Sequence, residues 1–301
     1  MLPIFTAIHP LVDACSMGVL VAGGITWQRA MAYNAIAFAL QFPLGVALDS
    51  FPRFVRHGFL FGTCLVTASA ILGAFGLSGW CVLVAACFGN ALFHLTAGKS
   101  ILEANGGRSG PIGLFISTGA LGLMAGQVWA AKAASVALPV FAAALAACVA
   151  VAVWRLRNLA QYPQGPQRGW GRPAVSCLIL AGLFALIAWR SWAALFAGGR
   201  SAAAGVALMA AGAAVTWAGK AGGGYLAERV GRWPIVAASV CGSAVLAFAC
   251  SPENAVAWLA LLFVAQLATG PVLSLVHERT GGMGGTAFGL NCLGLFTGSL
   301  A

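Results

Sequence analysis

Eleven runs of about twenty mostly apolar residues make up most of this sequence, and one such run is what a helix needs to cross a bilayer core. They cover 4–23, 28–48, 58–77, 80–98, 111–131, 135–153, 174–196, 202–223, 233–250, 255–276 and 284–300. In hydrocarbon every backbone N–H and C=O must find its partner within the protein, which restricts such segments to helices packed in a bundle. Composition agrees. Of 301 residues 61% are hydrophobic and 7% charged, whereas soluble domains carry about 25% charged residues. The fold class expected is all-α integral membrane with about eleven transmembrane helices. The first run has no basic stretch before it and carries His9 and Asp13, so it reads as a span and not as a cleaved signal peptide.

Most connections are short. The exception is the segment between Arg155 and Pro173, with four Arg and three Pro, which reads as a linker. Three parts follow: a six-helix bundle over 1–154, a linker over 155–173, and a bundle of about five helices over 174–301.

The formal net charge of +10 becomes informative once the basic residues are sorted by loop. Twelve follow even-numbered spans: Arg53, Arg56, Lys99, Arg108, Arg155, Arg157, Arg168, Arg172, Lys220, Arg229, Arg232 and Arg279. Four follow odd-numbered ones: Arg29, Lys132, Arg190 and Arg200. Cytoplasmic loops hold the Lys/Arg excess, which puts the even loops and the N-terminus in the cytoplasm. The charge therefore reports orientation, with some attraction to anionic lipid, and nucleic acid is not an expected partner.

Nine cysteines are scattered through apolar runs without a CxxC pair, so no metal or redox framework is expected. Gly219-Lys220 is followed by Ala221 and lacks the GxxxxGK[ST] pattern of an ATP-binding loop. Neither HExxH nor GxSxG occurs, and the chain is not read as an enzyme. No cofactor is expected.

Ionisable groups inside a bilayer are expensive and usually face a cavity or a partner. Asp13 lies near the middle of the first span, with His9 one turn before and Ser16 about one turn after, all on one face. Such a His–Asp stripe is suited to binding and releasing a proton, since histidine titrates near neutral pH; a structural hydrogen bond is the other reading. Further cavity candidates are Asn34 and Gln41 on the second span, Asn90 and His94 on the fourth, Gln127 on the fifth, and Trp189 and Arg190 on the seventh. Arg190 either snorkels to the surface or faces the cavity as counter-charge to an anion or to Asp13. Lys99 and Glu103 form an i,i+4 pair of structural type.

Two patterns recur six spans apart. Gly45, Asp49 and Arg53 follow the second span as G-x-x-x-acid-x-x-x-R, and Gly224, Glu228 and Arg232 repeat it at the eighth. Gly113, Gly122 and Gly126 in the fifth span share their spacing with Gly285, Gly294 and Gly298 in the eleventh. The glycines permit close helix packing in lipid, and the acid and arginine of the other motif are suited to a latch that bridges helix ends in one conformation only. Spans six apart share an orientation, so the halves are parallel repeats about an axis along the membrane normal.

On these motifs the chain resembles the major facilitator superfamily over essentially its whole length. GYLAERVGR from Gly224 to Arg232 is similar to that superfamily's loop motif, and the fifth-span glycines are similar to its antiporter motif, with Gln127 where the family has Pro. The first loop copy has Pro52 where the family usually has Gly. Within the superfamily, Arg190-Ser191-Trp192 and the run from Gly89 to His94 look like fosmidomycin-resistance type efflux proteins, although Leu95 and Thr96 replace that group's Pro and acid.

The resemblance implies a two-bundle fold whose usual twelfth helix is missing here. It implies a monomeric, multi-pass protein of a bacterial inner membrane that moves a small organic molecule by alternating access. Proton-coupled export is the leading expectation, with His9 and Asp13 as coupling residues. Proton-coupled uptake, and a non-transporting sensor or remnant, are the other readings.

Overall fold

The computed structural model describes residues 1–155, 173–203, 205–249 and 254–300. The expected linker over 155–173 therefore lies outside the described residues, save for its two ends.

Helix α1 (Leu2–Ala22) is followed by one long rod made of α2 (Trp27–Asn34), a π-helical turn (Ala35–Ala39) and α3 (Gln41–Ser50). A 3-10 turn (Pro52–Phe54) leads into α4 (Val55–Ala74), and α5 (Trp80–Ala104), α6 (Ser109–Ser117) and α7 (Gly119–Arg155) complete the first bundle. The second holds α8 (Pro173–Ala203), α9 (Val206–Val230), α10 (Arg232–Ala249), α11 (Ala255–Gln266), α12 (Thr269–Arg279) and α13 (Gly284–Gly298). Among the described residues, each of the eleven apolar runs falls mainly on helix.

Helix α7 carries the end of run 111–131 and all of run 135–153, and breaks between them. Ala133 leaves helical space at φ −159° and ψ 74°. Trp129 and Phe141 then stack with ring centroids 5.5 Å apart, whereas twelve residues of straight helix would separate them by about 18 Å. The chain reverses at Ala133, as the division into runs 111–131 and 135–153 expects.

Three basic residues counted with loops lie within helices, and this corrects the basic-residue tally. Lys99 lies within α5 and is buried, and Lys220 lies within α9, so neither belongs to a loop. Arg190 is buried within α8. Lys99 follows its run because apolarity ends where charge begins while α5 continues to Ala104 with that charge satisfied by packing, whereas Arg190 and Lys220 fall inside their runs. Removing these three residues leaves the excess on the same side.

The two bundles meet along helices from equivalent places in the repeat. Helix α6 packs on α9, and α3 packs on α13. Within the bundles α1 packs on α7, and α13 on α8. The glycine series explains both sets. A Cβ at Gly113 would meet the Lys220 carbonyl at 2.8 Å, and one at Gly285 would meet the Gly45 carbonyl at 2.5 Å, so the first glycine of each series serves the seam between bundles. The later ones serve the bundle itself. Gly122 and Gly126 lie against the backbone of Pro10 and Ala14, and Gly294 and Gly298 lie against Ile187 and Ala188. With no side chain in the way, backbones approach to van der Waals contact, which drives helix association in lipid.

Candidate functional site

A cavity of about 620 Å³ lies between the bundles. Its lining runs from His9 and Asp13 out to Ile25 and Ser299, beyond the ends of α1 and α13, while the opposite end is shut by the α6–α9 and α3–α13 contacts.

One wall carries a cluster of side chains from α1 and α5. His9 Nε2 lies 3.2 Å from Asp13 Oδ2, His94 Nε2 lies 3.4 Å from Asp13 Oδ1, and the two Nε2 atoms are 2.6 Å apart. Asn90 supports them, its amide donating to Asp13 Oδ1 at 3.0 Å and Ser16 Oγ at 3.3 Å.

The local backbone settles the tautomers. His9 Nδ1 is 2.6 Å from the Phe115 carbonyl, and His94 Nδ1 is 2.9 Å from the Asn90 carbonyl. A carbonyl only accepts, so each Nδ1 must carry the hydrogen, and a neutral ring then has a bare Nε2. Two bare nitrogens and a carboxylate thus converge on one point. One proton shared between the rings resolves the conflict as an N–H···N bond beside a carboxylate.

Sequence features hold this arrangement in place. Pro10 has no N–H, which removes the helical partner of the Thr6 carbonyl, and the Thr118 hydroxyl donates there at 3.2 Å. Thr118 marks the break between α6 and α7 beside the Phe115 carbonyl. Gly119 follows, and a Cβ there would collide with Asp13 Oδ2 and His9 Nε2. Only glycine leaves room for the cluster.

His9, Asp13 and His94 place their ligand atoms within 4.8 Å of one another, the donor set of a transition-metal site. Two nitrogens on one tetrahedral zinc would stand about 3.3 Å apart, and the 2.6 Å separation fits a shared proton better.

The facing wall is cationic. Arg190 from α8 and Lys220 from α9 both line the cavity, and Asp13 is the one carboxylate among the described lining residues. Asn34, Gln41, His94 and Gln127 line it. Asn90 sits behind the wall as a support, and Trp189 is absent from the lining, its ring lying 5.0 Å from that of Trp192.

Sequence reasoning missed Lys220, Gly119, Gln266, Asn291 and Trp258. The signal for Lys220 was present, since it falls inside the run 202–223. Gln266 and Asn291 are amides within apolar runs, like those that were noticed.

At the closed end the loop-motif acids do not pair with the arginines of their own motifs. Asp49 accepts from the backbone N–H groups of Gly285 (2.9 Å) and Thr286 (2.6 Å), and from Lys99 Nζ at 2.6 Å. Glu228 accepts from Gly110 N at 2.9 Å and Arg108 Nη2 at 2.5 Å. Each acid therefore caps a helix N-terminus of the other bundle, where a negative charge meets the positive end of the helix dipole. Arg232 pairs with Glu278 at 2.5 Å, and Arg53 lies over the Phe54 ring at 5.1 Å. Lys99 also bonds Glu103, the i,i+4 pair expected.

No family profile matches the sequence, and no curated protein matches it. Solved structures do. The E. coli fucose:proton symporter FucP aligns with a TM-score of 0.65 at 12% identity, covering 99% of this chain and 89% of that one. FucP in its outward conformation, described as a Major Facilitator Superfamily transporter, gives 0.66 at 14% identity with the same coverage. The human organic anion transporter TETRAN gives 0.62 at 15% identity, covering 99% and 91%. The chain has the major facilitator fold. Within that fold the cavity lies between the two bundles, and the paired caps of Asp49 and Glu228 mark the closed end of their seam.

Proposed function

We propose that this protein is a secondary active transporter that moves a small organic solute by alternating access, coupled to protons through His9, Asp13 and His94. The observation that carries the reading is a titratable cluster in the wall of a cavity that is shut at one end by contacts repeated on both sides of a pseudo-twofold axis. A proton held between the two Nε2 atoms changes the charge facing the solute, so loading and solute binding are linked through one space.

The units that rock are the bundles over 1–154 and 174–301, joined by the cytoplasmic linker 155–173. With the N-terminus and the closed end in the cytoplasm, as the basic residues favour, the state described faces outward. The protein then resides in a cell membrane, the bacterial inner membrane on this reading. Export in exchange for protons is the direction we favour, from the glycine series shared by the fifth and eleventh spans. Uptake with the proton is the second reading, because one structurally similar protein is a fucose:proton symporter.

The test is a panel of organic solutes applied to proteoliposomes enclosing a pH-sensitive dye. Solute-driven proton flux in the parent, lost in Asp13→Asn, is expected, and the sign of the flux separates export from uptake. A solute that moves while the Asp13→Asn variant still couples it to the pH gradient would remove Asp13 from the mechanism.

A further inference from the structure

Four residues that line the cavity each hold a buried polar atom with no hydrogen-bond partner among the described residues: Arg190 Nη1, Trp258 Nε1, Gln41 Oε1 and Asn291 Oδ1. Buried polar groups are nearly always satisfied, and each exception in a native protein calls for a reason. Four orphans around one cavity, from four different helices, share one reason if a ligand supplies the partners.

Charge narrows the ligand. Arg190 is 4% exposed, and among the described residues it forms no ion pair, while Lys220 lines the same cavity without a carboxylate partner. Asp13 is the one acid among the described lining residues, and its ion pairs go to His9 and His94. The cavity thus carries uncompensated positive charge whether or not the cluster holds its proton. A buried cation without a partner is costly in any protein and more so at membrane depth. Arginine with a free nitrogen presents the planar donors that carboxylates and other oxyanions match, and the indole N–H of Trp258 adds a neutral donor.

The remaining lining sets the rest of the molecule. Met17, Leu20, Phe38, Leu123 and Met124 give an apolar surface. Gln41 already donates its amide nitrogen to the Ala37 carbonyl at 2.6 Å, so its oxygen is left to accept. A volume of about 620 Å³ is that of a small-molecule site.

We infer that the cavity binds a small organic anion, its acidic group held by Arg190 and Lys220 and its apolar body lying on the Met and Leu wall. The inference rests on the transporter reading for its meaning, and the binding it asserts is measurable without transport.

Purified full-length protein in detergent is heated with millimolar benzoate, mandelate or succinate, and in parallel with benzamide, succinamide or benzylamine. Ligand that binds only the folded state raises the melting temperature. At least one anion is expected to raise it by several degrees while its neutral amide and the amine do not. Arg190→Gln and Lys220→Gln are each expected to weaken that anion roughly ten- to a hundredfold, the scale of one charged hydrogen bond. Arg190→Lys, which keeps the charge, guards against a folding defect and is expected to retain part of the shift. No shift with any of the anions overturns the proposal, as does an equal shift with amides, a shift with benzylamine alone, or full retention in both Gln variants. An anion that binds but is not moved in proteoliposomes leaves the ligand class standing and removes the transport reading instead.

Discussion

Asp49 and Glu228 do the same work at equivalent places in the two bundles: each carboxylate accepts backbone N–H groups at the start of a helix in the opposite bundle. The motif that carries them is local in sequence, but the contact it makes is not. A cap of this kind holds only while the closed end is closed, and on the function proposed above the pair is the latch of that state.

Asp49→Asn combined with Glu228→Gln should therefore weaken closure at that end. Spin labels on the exposed positions Phe54 and Arg229 should report a broader distribution with longer distances in the double variant. An unchanged distribution would mean that the caps do not hold the seam.

Glycine at the seam gives a second handle. A Cβ at Gly45 would meet the carbonyl carbon of Gly285 at 2.6 Å, while at Gly222 it would meet nothing within 4 Å. Gly45→Ala should cost about 1–3 kcal/mol of closure, the range of overpacking, and abolish solute exchange in proteoliposomes. Gly222→Ala should leave exchange within twofold of the parent (about 0.4 kcal/mol or less).

Lys99 lies buried between Asp49 and Glu103. Lys99→Met leaves two carboxylates facing each other without a cation, and breaking such a buried arrangement costs about 3–5 kcal/mol. Thermal unfolding should show a large loss for Lys99→Met and partial recovery in Lys99→Met with Glu103→Gln. A single variant as stable as the parent would show that solvent reaches this group.

His94 is expected to matter to proton coupling as much as Asp13, since its Nε2 shares the site with His9. His94→Gln should abolish solute-driven proton flux while retaining solute binding. Gly119→Ala should do the same through sterics, because its methyl group occupies the space of the Asp13 and His9 tips. Normal coupling in both variants would place the proton elsewhere.

How much of this was legible beforehand differs from residue to residue. His9 and Asp13 were readable as a pair because an i,i+4 spacing puts two side chains on one helix face whatever the helix packs against. His94 could be placed in the cavity but not against His9, because that contact depends on how α1 and α5 cross. Arg190 stood between two readings, surface and cavity, which differ only in the rotation of one helix. Lys220 was counted with a loop although it fell inside an apolar run.

What the sequence by itself determined is the membrane, the positions of the spans and the existence of a repeat. These follow from the bilayer's fixed thickness and from spacings within single helices, both of which are local. Only the tertiary structure decided that Asp49 and Glu228 reach across the seam instead of pairing with Arg53 and Arg232. It alone joined His94 to His9 and turned Arg190 and Lys220 into one cationic wall. The reason is that lipid supplies little hydrophobic force between helices, so their register and rotation are set by many small backbone contacts, glycine against carbonyl, that no single segment encodes.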